Sequence, residues 1–125
     1  MMEKAELNSQ HGKPYDLEER TFQFAKRVLE FINKLPKTIA NLEIIRQLVR
    51  ASGSVGTNYI EANENLGKKD FQMHIKISRK ESKESRFWLR LCECAESEKR
   101  EQQNLIQEST EFIKIFSAIL KKSQE

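Results

Sequence analysis

With 125 residues, 33% of them charged, and only four glycines and two prolines, the chain has room for one domain with a real core, and its composition favours helices over a sheet. The net charge of +3 is modest but unevenly spread: residues 68–100 carry ten Lys and Arg against six Asp and Glu, whereas residues 1–20 carry three against five. The polar N-terminus does not read as a signal peptide and no apolar run approaches the ~18 residues of a membrane span, so a soluble, cytoplasmic protein is expected.

Residues 1–14 are polar, contain Gly12 and Pro14, show no periodicity, and read as a flexible arm. Asp16 then offers an N-cap ahead of Glu18 and Glu19, acids that suit the positive end of a helix. The first helix is expected over about 16–34. Its apolar residues, among them Phe22, Phe24, Val28, Leu29, Phe31 and Ile32, cover more than one stripe, which points to two buried faces. Pro36 disfavours helix in the residue before it and ends the element.

Thr38 can cap a second helix over about 39–66, with Gly67 as its stop. The centre of this helix, QLVRASGSVGTNYIEAN from Gln47 to Asn63, keeps helical spacing while large side chains give way to Ser52, Gly53 and Gly56. Each glycine costs roughly 1 kcal/mol against alanine in a helix, so a close approach to a neighbour is the expected compensation. The alternative is a Gly/Ser loop dividing two short helices.

A connection of two lysines, Lys68 and Lys69, leads to Asp70 as the next N-cap, which turns the third helix, about 70–97, back antiparallel. Its ends are large and apolar, while its middle reads Ser78, Ser82 and Ser85. Antiparallel packing sets that small centre against Ser52, Gly53 and Gly56, which predicts a close helix crossing. EKREQQN, from Glu98 to Asn104, is polar enough to read as a loop. Leu105, Ile106, Phe112, Ile113, Phe116 and Leu120 then mark a fourth amphipathic helix over about 103–122. Four helices on short links make an all-α, antiparallel, up-down-up-down bundle.

Metal bundles of this kind need Glu-x-x-His pairs on facing helices, and the sequence has none. His74 follows Asp70 by one turn, but one His and one carboxylate fall short of a site, and His11 stands alone in the arm. Cys92 and Cys94 sit about 200° apart around a helix and neither pair nor chelate, which suits reduced thiols. There is no nucleophile motif and no phosphate or dinucleotide loop. The expectation is therefore a protein without catalytic residues, metal or cofactor, and not an enzyme.

What remains points to interaction. Lys76, Arg79, Lys80, Lys83, Arg86 and Arg90 recur every three or four residues along the third helix, a spacing that can track phosphates. Glu81, Glu84 and Glu93 interrupt the row, and the alternative is an ordinary solvated face. Glu61, Arg79, Glu81 and Glu84 approach the small-residue faces, where they would form register-fixing ion pairs or belong to a binding site, while Asn58 and Asn63 would cap or bridge backbone. Phe24, Phe31, Tyr59, Met73, Ile77, Leu91 and Ile115 fall off the main core stripes and predict apolar patches that favour self-association.

Phe24-Ala25, Leu35-Pro36-Lys37, QLVRASGSVGTNYIEA, KKDF and KISRKESKESRFWLRL, spanning about Phe22 to Leu91, together resemble the bacterial four helix bundle family of 23S rRNA intervening sequence proteins. Tyr59 and Ala62 depart from that pattern, in which a smaller aliphatic residue and a glycine are expected. The resemblance implies a four-helix bundle that assembles into a homopentameric ring and has no enzymatic activity. Some members are encoded within insertions of 23S rRNA genes, and a related protein serves a retroelement reverse transcriptase by binding protein and nucleic acid. Asn58, Glu61, Arg79 and Glu84 match polar motif positions of the family, with a role in either ring assembly or ligand contact. The resulting expectation is an oligomeric interaction module for RNA or a ribonucleoprotein, with a protein-only scaffold or adaptor as the alternative and no membrane partner.

Overall fold

The computed structural model describes residues 14–125, so the expected arm lies, apart from Pro14, outside the described residues. Helix α1 (Pro14–Ile32) begins on proline, whose missing N–H is harmless in a first turn. Asp16 is therefore the third helical residue and not the cap. Leu17, Thr21, Phe24, Val28 and Phe31 form its buried stripe. This corrects two expectations: Phe24 and Phe31 are core residues, while Phe22 and Leu29, assigned to a buried face, lie exposed on a second stripe. The helix ends before the turn preceding Pro36, and Lys37 Nζ donates to the carbonyls of Leu35, Ile32 and Asn33 at 2.8, 3.4 and 3.4 Å. A cation at that end meets the negative pole of the helix.

Helix α2 (Ile39–Asn63) is continuous through both glycines. Thr38 caps it, accepting the Asn41 N–H at 3.0 Å. It stops one turn short of the expected Leu66, because Asn65 folds back, its Nδ2 donating to the Ala62 carbonyl and its Oδ1 accepting the Gly67 N–H. Gly67 adopts φ 142°, a conformation that L side chains rarely take, and is itself the N-cap of α3 (Lys68–Leu91). Asp70 is not that cap; from the third helical position its carboxylate accepts the Leu66 N–H at 3.1 Å.

The largest departure is at the end of α3, expected to continue to Ser97. It ends at Leu91, and Cys92 turns extended. Residues 93–95 are non-helical, Glu96–Glu98 form one 3₁₀ turn, and α4 runs Lys99–Ser123, so most of the expected 98–104 loop is helix. Two buried amides hold this link. Gln102 Nε2 donates to the Leu89 and Cys92 carbonyls at 2.8 and 3.2 Å, taking carbonyls that α3 leaves unpaired. Asn41 Nδ2 donates to the Pro36 and Glu93 carbonyls at 2.9 Å each, and its Oδ1 accepts the Glu93 N–H at 3.2 Å. Cys92 is buried beside Gln102, and burial pushes its thiol up to about 11; Cys94 is half-buried.

The helices form an antiparallel, up-down-up-down, all-α bundle with no strand among the described residues. Contacts run in opposite chain order across each pair, as Arg20 to Glu108 and Arg27 to Glu101 show for α1 and α4, and Arg86 to Thr110 and Arg79 to Ser117 for α3 and α4. Phe24, Phe112, Phe116 and Tyr59 stack through the core, with Phe24 edge-on to Phe112 at 5.3 Å. Tyr59 is thus a core residue too, contrary to expectation. Met73 and Leu91 are exposed, whereas Ile77 and Ile115 are half-buried. None of the described helices is long and apolar enough to cross a membrane.

Between α2 and α3, Ser78 Oγ donates to the Val55 carbonyl at 2.9 Å, which requires the two backbones to approach closely. Ser52, Ser82 and Ser85 are buried around this contact, and Ser82 Oγ returns to the Ser78 carbonyl at 2.8 Å. The glycines do not share that crossing. A Cβ on Gly56 would meet Thr21 Oγ1 of α1 at 2.9 Å, whereas a Cβ on Gly53 would meet nothing within 4 Å. Both glycines line the groove between α1 and α2 with Thr21, Phe22 and Ala25, whereas the Val55 carbonyl faces α3.

Three outcomes are expected in urea denaturation. Gly53→Ala raises stability by about 0.5–1 kcal/mol, since it gains helix propensity without a clash. Gly56→Ala lowers it by about 1 kcal/mol through overpacking against Thr21, and loses that effect in a Thr21→Ala background. Asn41→Ala costs about 2 kcal/mol, because it removes the three hydrogen bonds of a buried amide to the Pro36 carbonyl and the Glu93 backbone.

Candidate functional site

The outer face of α3 collects the cationic row. Lys76, Lys80, Lys83 and Arg90 are exposed, while Arg79 and Arg86 lean on α4, donating to Ser117 Oγ at 3.3 Å and Thr110 Oγ1 at 3.2 Å. A helix repeat of 3.6 places all six within one sector about 120° wide.

Of the acids that interrupt the row in sequence, Glu81 and Glu84 do not share this sector, and Glu93 lies beyond the end of α3. Glu81 is buried, 4% exposed, and faces α2, where Arg50 Nη1 approaches Oε2 at 3.4 Å and Nη2 meets Glu84 Oε1 at 2.9 Å. Hydrogen bonding to Glu81 raises the Arg50 guanidinium above its ordinary value. Lys80 Nζ also lies 3.8 Å from Glu81 Oε2. Two of the three acids of α4 are committed to α1, Glu108 to Arg20 at 2.7 and 2.9 Å and Glu101 to Arg27 at 3.1 and 3.0 Å, while Glu111 accepts from Gln107 of its own helix at 2.8 Å. Among the described residues, Lys76, Arg79, Lys83, Arg86 and Arg90 form no ion pair.

The other singled-out polar residues do not join this face. Glu61 is exposed on α2. Asn58 Nδ2 donates to the Ser54 carbonyl and hydroxyl at 3.0 and 2.9 Å, and its Oδ1 faces His74 Nδ1 at 3.1 Å. His74 Nε2 lies 3.6 Å from Asp70 Oδ1, and no group of three or more possible metal ligands occurs among the described residues. Arg79 and Glu84 project to opposite flanks of α3, toward α4 and α2 respectively, so the family-motif positions do not converge on one site.

Sequence reasoning missed Arg50, which sorts the acids from the bases, and it missed Phe87. Phe87 is 54% exposed and lies on the row itself, four residues after Lys83 and three before Arg90, a spacing that would have revealed it. Its ring stands edge-on to Trp88 at 5.0 Å. Phe87, Arg90 and Leu91 line a cleft of about 190 Å³, and a second cleft of about 370 Å³ lies along the same helix between Lys69, Gln72, Met73, Lys76, Ile77 and Lys80. On the opposite side of the bundle, Phe22, Ala25, Gly53, Gly56 and Ile60 line an apolar groove of about 230 Å³ between α1 and α2, near exposed Leu29, Leu42 and Val49.

The family model of the 23S rRNA-intervening sequence proteins matches residues 14–118, the whole bundle except the end of α4. The chain belongs to that family. Among solved structures, the chain is similar to a protein of unknown function from the S23 ribosomal protein family of Bacteroides thetaiotaomicron. The two are 28% identical, with a TM-score of 0.73, over 83% of this chain and 97% of the other. No curated protein matches the chain.

Removal of Arg50 tests the sorting of charge. Arg50→Ala is expected to cost about 1 kcal/mol in denaturant titration by leaving the buried Glu81 only the Lys80 contact at 3.8 Å, and Glu81→Gln in that background recovers part of the loss.

Proposed function

We propose that this protein is a non-enzymatic, homo-oligomeric interaction module of the cytoplasm that takes RNA or a ribonucleoprotein on the cationic outer face of α3. The observation that carries the proposal is the sorting of charge: Arg50 draws Glu81 and Glu84 toward α2, and α1 draws Glu101 and Glu108 of α4, which leaves five of the six cations without a carboxylate partner among the described residues. A row of this kind meets a phosphate backbone at low desolvation cost, and each contact releases counterions.

Self-association rests on a different surface. Phe22, Leu29, Leu42, Val49 and Ile60 are large apolar residues left exposed along α1 and α2, and the groove between them is too apolar to favour water. A second copy covering this face would leave the α3 face open, and the homopentamer implied by the family resemblance is the assembly we propose. The rival scaffold reading keeps the same apolar contacts and assigns the cations to solvent.

Light scattering during size-exclusion chromatography, with and without structured RNA at two salt concentrations, separates these readings. The expected result is an oligomer whose RNA affinity falls linearly with salt on logarithmic axes, and Lys76→Ala, Lys83→Ala and Arg90→Ala together flatten the slope by about two to three. An oligomer indifferent to RNA at every salt concentration would favour the protein scaffold.

A further inference from the structure

Phosphate attraction alone does not explain the composition of the α3 face. Met73, Phe87 and Leu91 are exposed on it among the cations, although apolar side chains contribute nothing to phosphate contact. Phe87 is the most telling of them. It is flanked at helical spacing by Lys83 and Arg90, it is held edge-on by Trp88 at 5.0 Å, and it forms one wall of the cleft completed by Arg90 and Leu91. The cleft combines a π surface, a guanidinium and an aliphatic wall.

Bases in a duplex are already stacked and bury their faces, so a double helix offers this cleft only its backbone. Unpaired bases offer their faces, and stacking on an aromatic side chain is tolerant of sequence because every base has a π surface. The second cleft, lined by Met73 and Ile77 between Lys69, Lys76 and Lys80, repeats the mixture of apolar floor and cationic rim. Phe87 lies fourteen residues from Met73 along α3, roughly 20 Å at 1.5 Å per residue, so the two clefts form a track along one helix.

We infer that the α3 face binds single-stranded nucleic acid in preference to duplex, with an unpaired base stacked on Phe87 and adjoining phosphates on Lys83 and Arg90. This inference rests on the reading of α3 as a nucleic-acid face and specifies its ligand. A protein partner would use the same apolar residues without dependence on an aromatic ring or on phosphate.

The test is fluorescence anisotropy with a labelled single-stranded oligoribonucleotide and the duplex of the same sequence, applied to wild type, Phe87→Ala, Phe87→Leu and Phe87→Trp. Circular dichroism and light scattering establish that each variant keeps its fold and mass. Wild type is expected to prefer the single strand. Phe87→Ala and Phe87→Leu lose about tenfold in single-strand affinity, Phe87→Trp retains it, and the salt slope is the same in all four, because stacking contributes without ion release. Equal binding of strand and duplex with no effect of Phe87→Ala overturns this inference and leaves the electrostatic reading standing. Absence of binding to either form overturns both. A change of oligomeric mass in Phe87→Ala would make Phe87 a subunit contact and would also overturn the assignment.

Discussion

The hydrogen bond from Ser78 Oγ to the Val55 carbonyl expresses the constraint on which the bundle depends: α2 and α3 must lie close enough for a side chain one bond longer than alanine to reach the opposite backbone. Large residues in the middle of either helix would hold the pair apart, and the buried serines at 52, 78, 82 and 85 are what remain when closeness is required. A hydroxyl at such a crossing is acceptable only when it finds an acceptor, and helical carbonyls supply one for three of the four serines. Ser85 Oγ, like Glu81 Oε1, is buried without a partner among the described residues. That tension is local to the polar side of the crossing, and the aromatic stack of α1, α2 and α4 closes the core around it.

The same closeness organises charge. With α2 drawn against α3, Arg50 reaches both Glu81 and Glu84, so the acids of a mixed helix turn inward and sideways while its bases remain outside. The ladder of Arg20 and Arg27 with Glu108 and Glu101 does the equivalent on the other flank. Individual ion pairs at half-exposed positions contribute little to stability. Their larger effect is positional, for they determine which face of the bundle keeps uncompensated positive charge.

Helix number, order and bundle topology were legible in the sequence because a period of 3.6 is carried by many residues at once. The core stripe of α1 was not, because that helix carries two apolar stripes: Leu17, Thr21, Phe24, Val28 and Phe31 make one, and Phe22 with Leu29 belongs to the other. Periodicity detects both and does not say which faces inward. The link after α3 was hidden for a different reason. No glycine or proline marks it, and it is held by Asn41 and Gln102, polar residues whose burial follows from partners far away in sequence. The cationic residues were visible individually, whereas the separation of Glu81 and Glu84 from them depended on Arg50, thirty-one residues from the nearer acid.

Asn41 also makes the two ends of the bundle unlike. At its end, a single buried amide joins the α1–α2 connection, the first turn of α2 and the α3–α4 link, so none of these segments loosens without disturbing the others. At the opposite end, Gly67 and the fully solvated Leu66 turn between α2 and α3 on hydrogen bonds local to the turn. Local opening is least costly where few buried contacts are broken. Fraying therefore starts at the Gly67 turn and proceeds toward the serine crossing, while the Asn41 end behaves as a clasp that releases only with the bundle as a whole.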